Sequence, residues 1–201
     1  MRIYSGGLRR KLIRILLVFA AMFSLAVSFG AIKPSGLVES ARRQIGVTVS
    51  YDPTYRKLEY PGGDVPRKAG VCTDVIIRAL REQGVDLQKE VHEDMSRNFE
   101  AYPKNWGLKK PDRNIDHRRV PNLRTYFKRK GYARAVTDEA GNFEAGDIVT
   151  WVLEGGLTHI GIVSDRKSSE GVPLMIHNIG SGTKEEDVLF KFRMTGHYRL
   201  K

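Results

Sequence analysis

The chain changes its hydrophobic period once, near Ala140, and that change limits the fold more than any other feature of the sequence. Before it, apolar residues recur at helical spacing. "LVESARRQIG" places Leu37, Val38, Ala41 and Ile45 on one side, with Gly46 ending the run. The segment from Val71 sets Val75, Ile76, Ala79 and Leu80 on one face, with Gly84 where a C-terminal cap belongs. "VPNLRTYFKRKG" turns Leu123, Tyr126 and Phe127 inward and closes at Gly131. Between these helices, "VTVSYDPTYRKLEYPGGDVPRKAG" reads as extended chain and loop, and the polar stretch from Val91 to Val120 as a helix followed by a long surface excursion. After Ala140, "FEAGDIVTWVL", "THIGIVSD", "LMIHNIG" and "VLFKFRMTGHYRL" are β-branched and aromatic runs separated by glycine-rich turns, the pattern of an antiparallel meander. Helices first and strands afterwards predict an α+β fold, with N-terminal helices packed on a C-terminal antiparallel β-sheet.

At 201 residues the chain suits one domain with a sizeable core. Arg9, Arg10, Lys11 and Arg14 precede an uncharged run from Ile15 to Phe29, a basic region followed by an apolar one. That run is shorter than the roughly 20 residues a membrane span needs. It reads as a signal peptide over residues 1–30, or as an N-terminal anchor if it is not removed, then a linker over 31–36 and one domain over 37–201. The domain is therefore expected to be exported, in a periplasmic or other extracytoplasmic compartment, and monomeric. An uncleaved N-terminal segment is its only expected membrane contact. Five of the 34 Lys and Arg residues precede Ile15, so the remainder carries 29 basic against 23 acidic residues. This moderate excess suits solubility or anionic envelope polymers. No basic helix, aromatic-basic motif or zinc pattern points to nucleic acid.

The single cysteine, Cys72, has no partner within the chain for a disulfide. By itself it reads as a buried packing residue. Its position after Gly70, in the first turn of a helix, permits a second reading. Unpaired N–H groups at a helix N-terminus stabilise a thiolate, and a nearby imidazolium does so more strongly. Of the five histidines, His159 opens the strand "HIGIVSD" and His177 lies in the next, "LMIHNIG". Adjacent antiparallel strands can set the two rings side by side, one as base and the other, or Asn178, orienting it. A one-residue slip would exchange His177 for Asn178. Cys72, His159 and His177 could also ligate zinc, but a thiol beside imidazole needs no metal, and neither metal nor cofactor is expected. Asp147 in "AGDIV" reads as a turn residue, "HEDM" at 92–95 as an exposed helical face, and Trp106 and Trp151 as core or cleft lining.

In order, "ARRQIGVTVSY", the Gly-x-Cys helix, "FEAGDIVTW", "HIGIVSD" and "MIHNIGSG" resemble the NlpC-type papain-like cell-wall peptidases and amidohydrolases. "GVCTDVIIRALREQGVDLQKEVHEDM" and "NIDHRRVPNLRTYF" resemble the YijF-like family of uncharacterised bacterial exported proteins, across nearly everything after Gly36. The first resemblance implies a papain-like fold, with Cys72 as nucleophile, His159 as general base and His177 as third residue. It places Tyr51 near an oxyanion-binding tyrosine, beside the Cys72 backbone N–H. In this chain the acidic residue, Asp74, follows the cysteine instead of preceding it, and "IDHRR" has no counterpart. Asp74, His117, Arg118 or Arg119, and Trp151 are candidate cleft residues. The implied substrates are peptidoglycan peptide amides or another envelope component. Alternatives are an inactive envelope- or wall-binding module and an acyl- or lipid-directed thioester transferase on the same scaffold.

Overall fold

The computed structural model describes residues 32–201, so the proposed signal or anchor segment over 1–30 lies outside the described residues. The first helix, α1 (Pro34–Arg42), begins inside the stretch expected to be linker. Pro34 stands at its start, where a fixed φ favours the helix and the missing N–H costs nothing. Leu37, Val38 and Ala41 are buried as the spacing predicts. Ile45 is exposed, because the helix ends at Arg42 and the chain turns before reaching it.

The central helix, α2 (Cys72–Glu82), packs against α1 and the main sheet, which α1 also meets. Every residue from Cys72 to Leu80 is buried, including the polar Thr73, Asp74 and Arg78, which the apolar period alone would assign to the surface. Their burial is possible because each has partners. Arg78 donates to Asp64 at 2.9 Å, to Thr48 Oγ1 at 2.9 Å and to the carbonyls of Val65 and Ala69 at 3.2 and 3.1 Å, so it organises the loop between residues 48 and 69. Gly84 follows with φ +83, a conformation open to glycine at a helix end.

Helix α3 (Leu87–Asn98) takes Asp86 as its N-cap through a bond from the Gln88 N–H. Its "HEDM" stretch is only partly at the surface. His92 and Glu93 are half-buried, whereas Asp94 and Met95 are buried, with Asp94 held by Arg129 at 2.7 Å and Tyr102 at 2.6 Å. Helix α4 (Val120–Arg129) buries Leu123, Tyr126 and Phe127 as expected.

Two short strands, β1 (Ser50–Tyr51) and β2 (Ala69–Gly70), pair in parallel just before α2 and place Tyr51 opposite Gly70. The main sheet is antiparallel and has six strands in the order β3-β8-β4-β5-β6-β7. They are β3 (Ala133–Arg134), β4 (Ile148–Val152), β5 (Thr158–Lys167), β6 (Pro173–Asn178), β7 (Thr183–Glu186) and β8 (Arg193–Tyr198). Strands β4 to β6 form the expected meander; β7, which was not expected, extends it, and the fourth expected run supplies β8, which pairs with β4 instead of following β6. Ile148, Ile160, Ile162 and Ile176 join the core shared with the helices, while Val149, Trp151, Val163 and Met175 pack with Val188 and Leu189. Both faces are thus covered, which explains why the strands read as nearly continuous apolar runs.

Two departures from the sequence reading have physical causes. Strand β7 is "TKEE", too polar to be recognised by composition, and it forms through backbone pairing with β6 at the sheet edge. The run from Val188 is not strand until Arg193, since Val188 and Leu189 cover the second core instead. Among the described residues, no helix is long and apolar enough to cross a membrane.

Candidate active site

Cys72 is the first residue of α2, and β2 delivers the chain to it beside Tyr51. The thiol is buried, and His159 and Tyr51 line the same cavity of about 580 Å³. Burial pushes the Cys72 thiol up to about 12. The backbone N–H groups of Ile160, Thr73 and Cys72 itself pull the other way, and Asp74 adds to the rise. The expectation that the helix start makes a low-pKa thiol is therefore corrected: its N–H groups do act on the sulfur, but desolvation outweighs them.

His159 stands at the start of β5, directly opposite Trp151 on β4. Its ring stacks on the Trp151 indole, with centroids 5.7 Å apart and planes at 26°. Nε2 of His159 lies 3.1 Å from Nδ1 of His177, with the two rings nearly perpendicular. Nε2 of His177 in turn approaches Glu186 Oε2 at 3.2 Å. His177 thus occupies Nε2 of His159; among the described residues no hydrogen bond joins the other ring nitrogen, Nδ1, to the Cys72 thiol, and the two groups share the cavity. Burial, then the neighbouring His177, lowers His159 to about 3, so its imidazole is neutral, and the same burial makes it a weaker base than a free histidine. Burial also lowers His177, against the raising influence of Glu186.

His177 pairs with Lys184 and Asn178 with Thr183, and it is His177 whose ring meets His159. Asn178 is buried and ties strands together: its Nδ2 donates to the Gly70 carbonyl at 3.0 Å, and its Oδ1 accepts from the Gly182 N–H at 3.1 Å. Asn178 also lines the cavity, as does Tyr51, whose hydroxyl is pushed up to about 12 by burial first and then by the facing Cys72.

The other candidate cleft residues separate. Arg118 lines the cavity, but its guanidinium is committed to Asp74 by two bonds of 2.9 Å, with both side chains almost fully buried. Asp74 also accepts from the Val71 N–H at 2.6 Å, so it fixes the helix start and does not line the cavity. His117 is buried under the short helical turn Asp116–Arg118, away from the cavity, and burial lowers it to about 3. Neither a solvated loop nor a cleft position describes it. Trp151 lies behind His159 in the second core, donating to the Leu189 carbonyl at 2.9 Å. Trp106 does line the cavity.

The sequence reading missed Glu186, which sits on the unrecognised strand β7. Once β6 and β7 pair around the Gly180 to Gly182 turn, Glu186 lies near enough to face His177. Asp147 holds its turn by accepting from the Glu144 N–H at 2.9 Å, and it also binds His197 at 2.7 Å and Arg199 at 2.7 Å. Among the described residues, no group of three or more His, Cys, Asp and Glu side chains is gathered to hold a metal ion.

Comparison with known proteins places this geometry in context. A protein of Escherichia coli strain K12, "Uncharacterized protein YijF", is 60% identical over 163 residues, covering 81% of this chain and 80% of that protein. Among solved structures, "Structure of NlpC1 from Trichomonas vaginalis" matches 85% of this chain at 12% identity, with a TM-score of 0.45. The chain spans about half the length of that protein, 45% of it. Residues 38–200 match the family described as "Domain of unknown function (DUF1287)", and the chain belongs to that family.

Proposed function

We propose that this is a cysteine amidohydrolase or peptidase with a papain-like arrangement of helix and sheet, acting outside the cytoplasm on amide bonds of an envelope polymer such as peptidoglycan peptides. The observation that carries the reading is that Cys72 and His159 line one cavity, with His159 backed by His177 at 3.1 Å and His177 by Glu186 at 3.2 Å. With the thiol raised and the imidazole lowered by the same burial, the resting pair is neutral. Nδ1 of His159 takes the thiol proton as sulfur attacks the amide carbonyl, and His177 orients the ring through its contact at Nε2. The protonated ring then gives that proton to the departing amine, leaving a thioester on Cys72 that water hydrolyses with His159 again as base. Tyr51 and the Cys72 backbone N–H are the donors for the tetrahedral oxyanion.

Purified envelope peptides incubated with the protein should yield new amines and carboxylates detectable by mass. Cys72→Ala should abolish them while the fold persists; products that persist in this variant overturn the proposal. The raised thiol pKa favours a second reading, a wall-binding module that keeps the cavity without turnover. That module retains polymer binding in Cys72→Ser and releases no product from the native protein.

A further inference from the structure

The cavity walls carry two arginines and no acidic residue, and the two arginines differ in what they have to bind. Arg118 is neutralised by Asp74. Arg119, next in the chain, makes no side-chain hydrogen bond among the described residues, and its Nη1 is buried with only the Asp116 carboxylate, at 3.6 Å, beside it. Its guanidinium lies over the indole of Trp106, 4.1 Å from the ring centroid, and Trp106 also lines the cavity. The nearest acid, Asp116, is 3.6 Å away, an ion pair too long for a hydrogen bond, so the donors of the guanidinium are not taken up by it. Desolvation lowers Arg119, yet a guanidinium stays charged in any protein setting. Thr73 Oγ1 donates to the Arg118 carbonyl at 3.1 Å, which fixes this arginine segment to the residue following Cys72.

Deepening the hydrolase reading and resting on the same cavity, we infer that Arg119, held flat by Trp106, is the recognition site for a carboxylate on the substrate. A stacked guanidinium presents its N–H fork edge-on, and a carboxylate fills two of those donors at once. One arginine with unfilled donors suits a carboxylate better than a phosphate dianion, since among the described residues the only other cation lining the cavity, Arg118, is tied to Asp74. The apolar remainder, Val71, Ile115, Val120, Pro121, Leu153 and Leu157, suits small aliphatic side chains beside that carboxylate. The substrate class is thus an amide in a short aliphatic peptide that carries a free carboxylate.

The test follows the indole N–H signals of the two tryptophans during titration with N-acetyl-dialanine, either as free acid or as C-terminal amide. Trp106 is 44% exposed and reports on the cavity, while Trp151 is 0% exposed and serves as an internal control. The free acid should shift Trp106 with an affinity about tenfold above that of the amide, the scale of one charge-assisted pair. Arg119→Gln should abolish the preference, and Arg119→Lys should retain part of it. Equal responses to acid and amide, or a preference unchanged in Arg119→Gln, overturn the inference. Repeating the titration with Cys72→Ala separates the two readings. An intact acid preference with no turnover by the native protein removes the hydrolase and keeps the carboxylate site, whereas turnover without any preference does the reverse.

Discussion

Asp74→Asn offers the sharpest test of how the site is held together. The variant keeps the shape of the side chain and removes its charge, leaving the Arg118 guanidinium without a counter-ion at 2% side-chain exposure. Both bonds of 2.9 Å lose their ionic character, and the Val71 N–H loses a charged acceptor at the start of α2. Breaking one half of a buried pair costs about 3–5 kcal/mol, because the surviving charge remains desolvated. In a domain of this size each kcal/mol shifts the melting temperature by about 2–4 °C, so a fall of roughly 6–20 °C is expected. Thermal and urea unfolding followed by circular dichroism would measure it. The double variant Asp74→Asn with Arg118→Met should recover much of the loss, since neither charge then remains buried. A single-variant loss below about 1 kcal/mol, or a double variant no better than the single, would refute the claim that this pair is buried and mutually dependent.

His177→Ala should cut turnover by about 10²–10⁴-fold with little change in KM, the range for a group acting through a general base, and His177→Gln should recover part of it. Gly182→Ala should be severely destabilising in urea unfolding. Gly182 has φ +91, and a Cβ there would sit 2.5 Å from the Thr48 carbonyl and 2.7 Å from Val49 Cα, both backbone. Stability should fall as pH drops from about 6.5 toward 3, because His117 and His159 resist protonation when folded but accept it when unfolded. Asp116, raised to about 6, works in the opposite direction: its contribution is greatest below its unfolded value near 3.8 and is lost as pH rises through 6. His117→Phe should therefore flatten the fall in melting temperature between pH 7 and 4, and an unchanged slope would contradict the burial assigned to His117.

What the sequence made legible depended on whether a residue's position follows from local periodicity. The three helices and the strands around His159 and His177 announce themselves by spacing, and the meander brings the two histidines together as anticipated. Burial of Arg78, Asp74 and Arg118 does not follow from period, since a charged residue on a helix is ordinarily assigned to water until its partner is known. Here the partners lie on segments 14 and 44 residues away. The same difficulty hid Glu186, which reaches His177 through an edge strand with no apolar alternation. The thiol shows a third kind of difficulty: a helix start is visible in sequence, whereas the depth at which it is buried is not, and depth decided the direction of its pKa.

These differences divide the cavity into two parts with different determinants. The thiol and imidazole stand on α2 and β5, elements that meet in the core to which β5 contributes Ile160 and Ile162, so their relation is fixed by the core. Much of the facing wall comes from the segment between α3 and α4, which supplies Trp106, Ile115, Arg118 and Arg119 and follows no motif. Changes in that segment can alter what enters without moving Cys72 against His159, provided the Asp74–Arg118 pair and the Thr73 bond to the Arg118 carbonyl survive. Arg119→Gln should accordingly change selectivity at a smaller cost in stability than Asp74→Asn, because its guanidinium makes no hydrogen bond and meets Asp116 only at 3.6 Å. Asp74→Asn should do the opposite. Equal destabilisation by the two substitutions in urea would mean that recognition and structure are not separable in this wall.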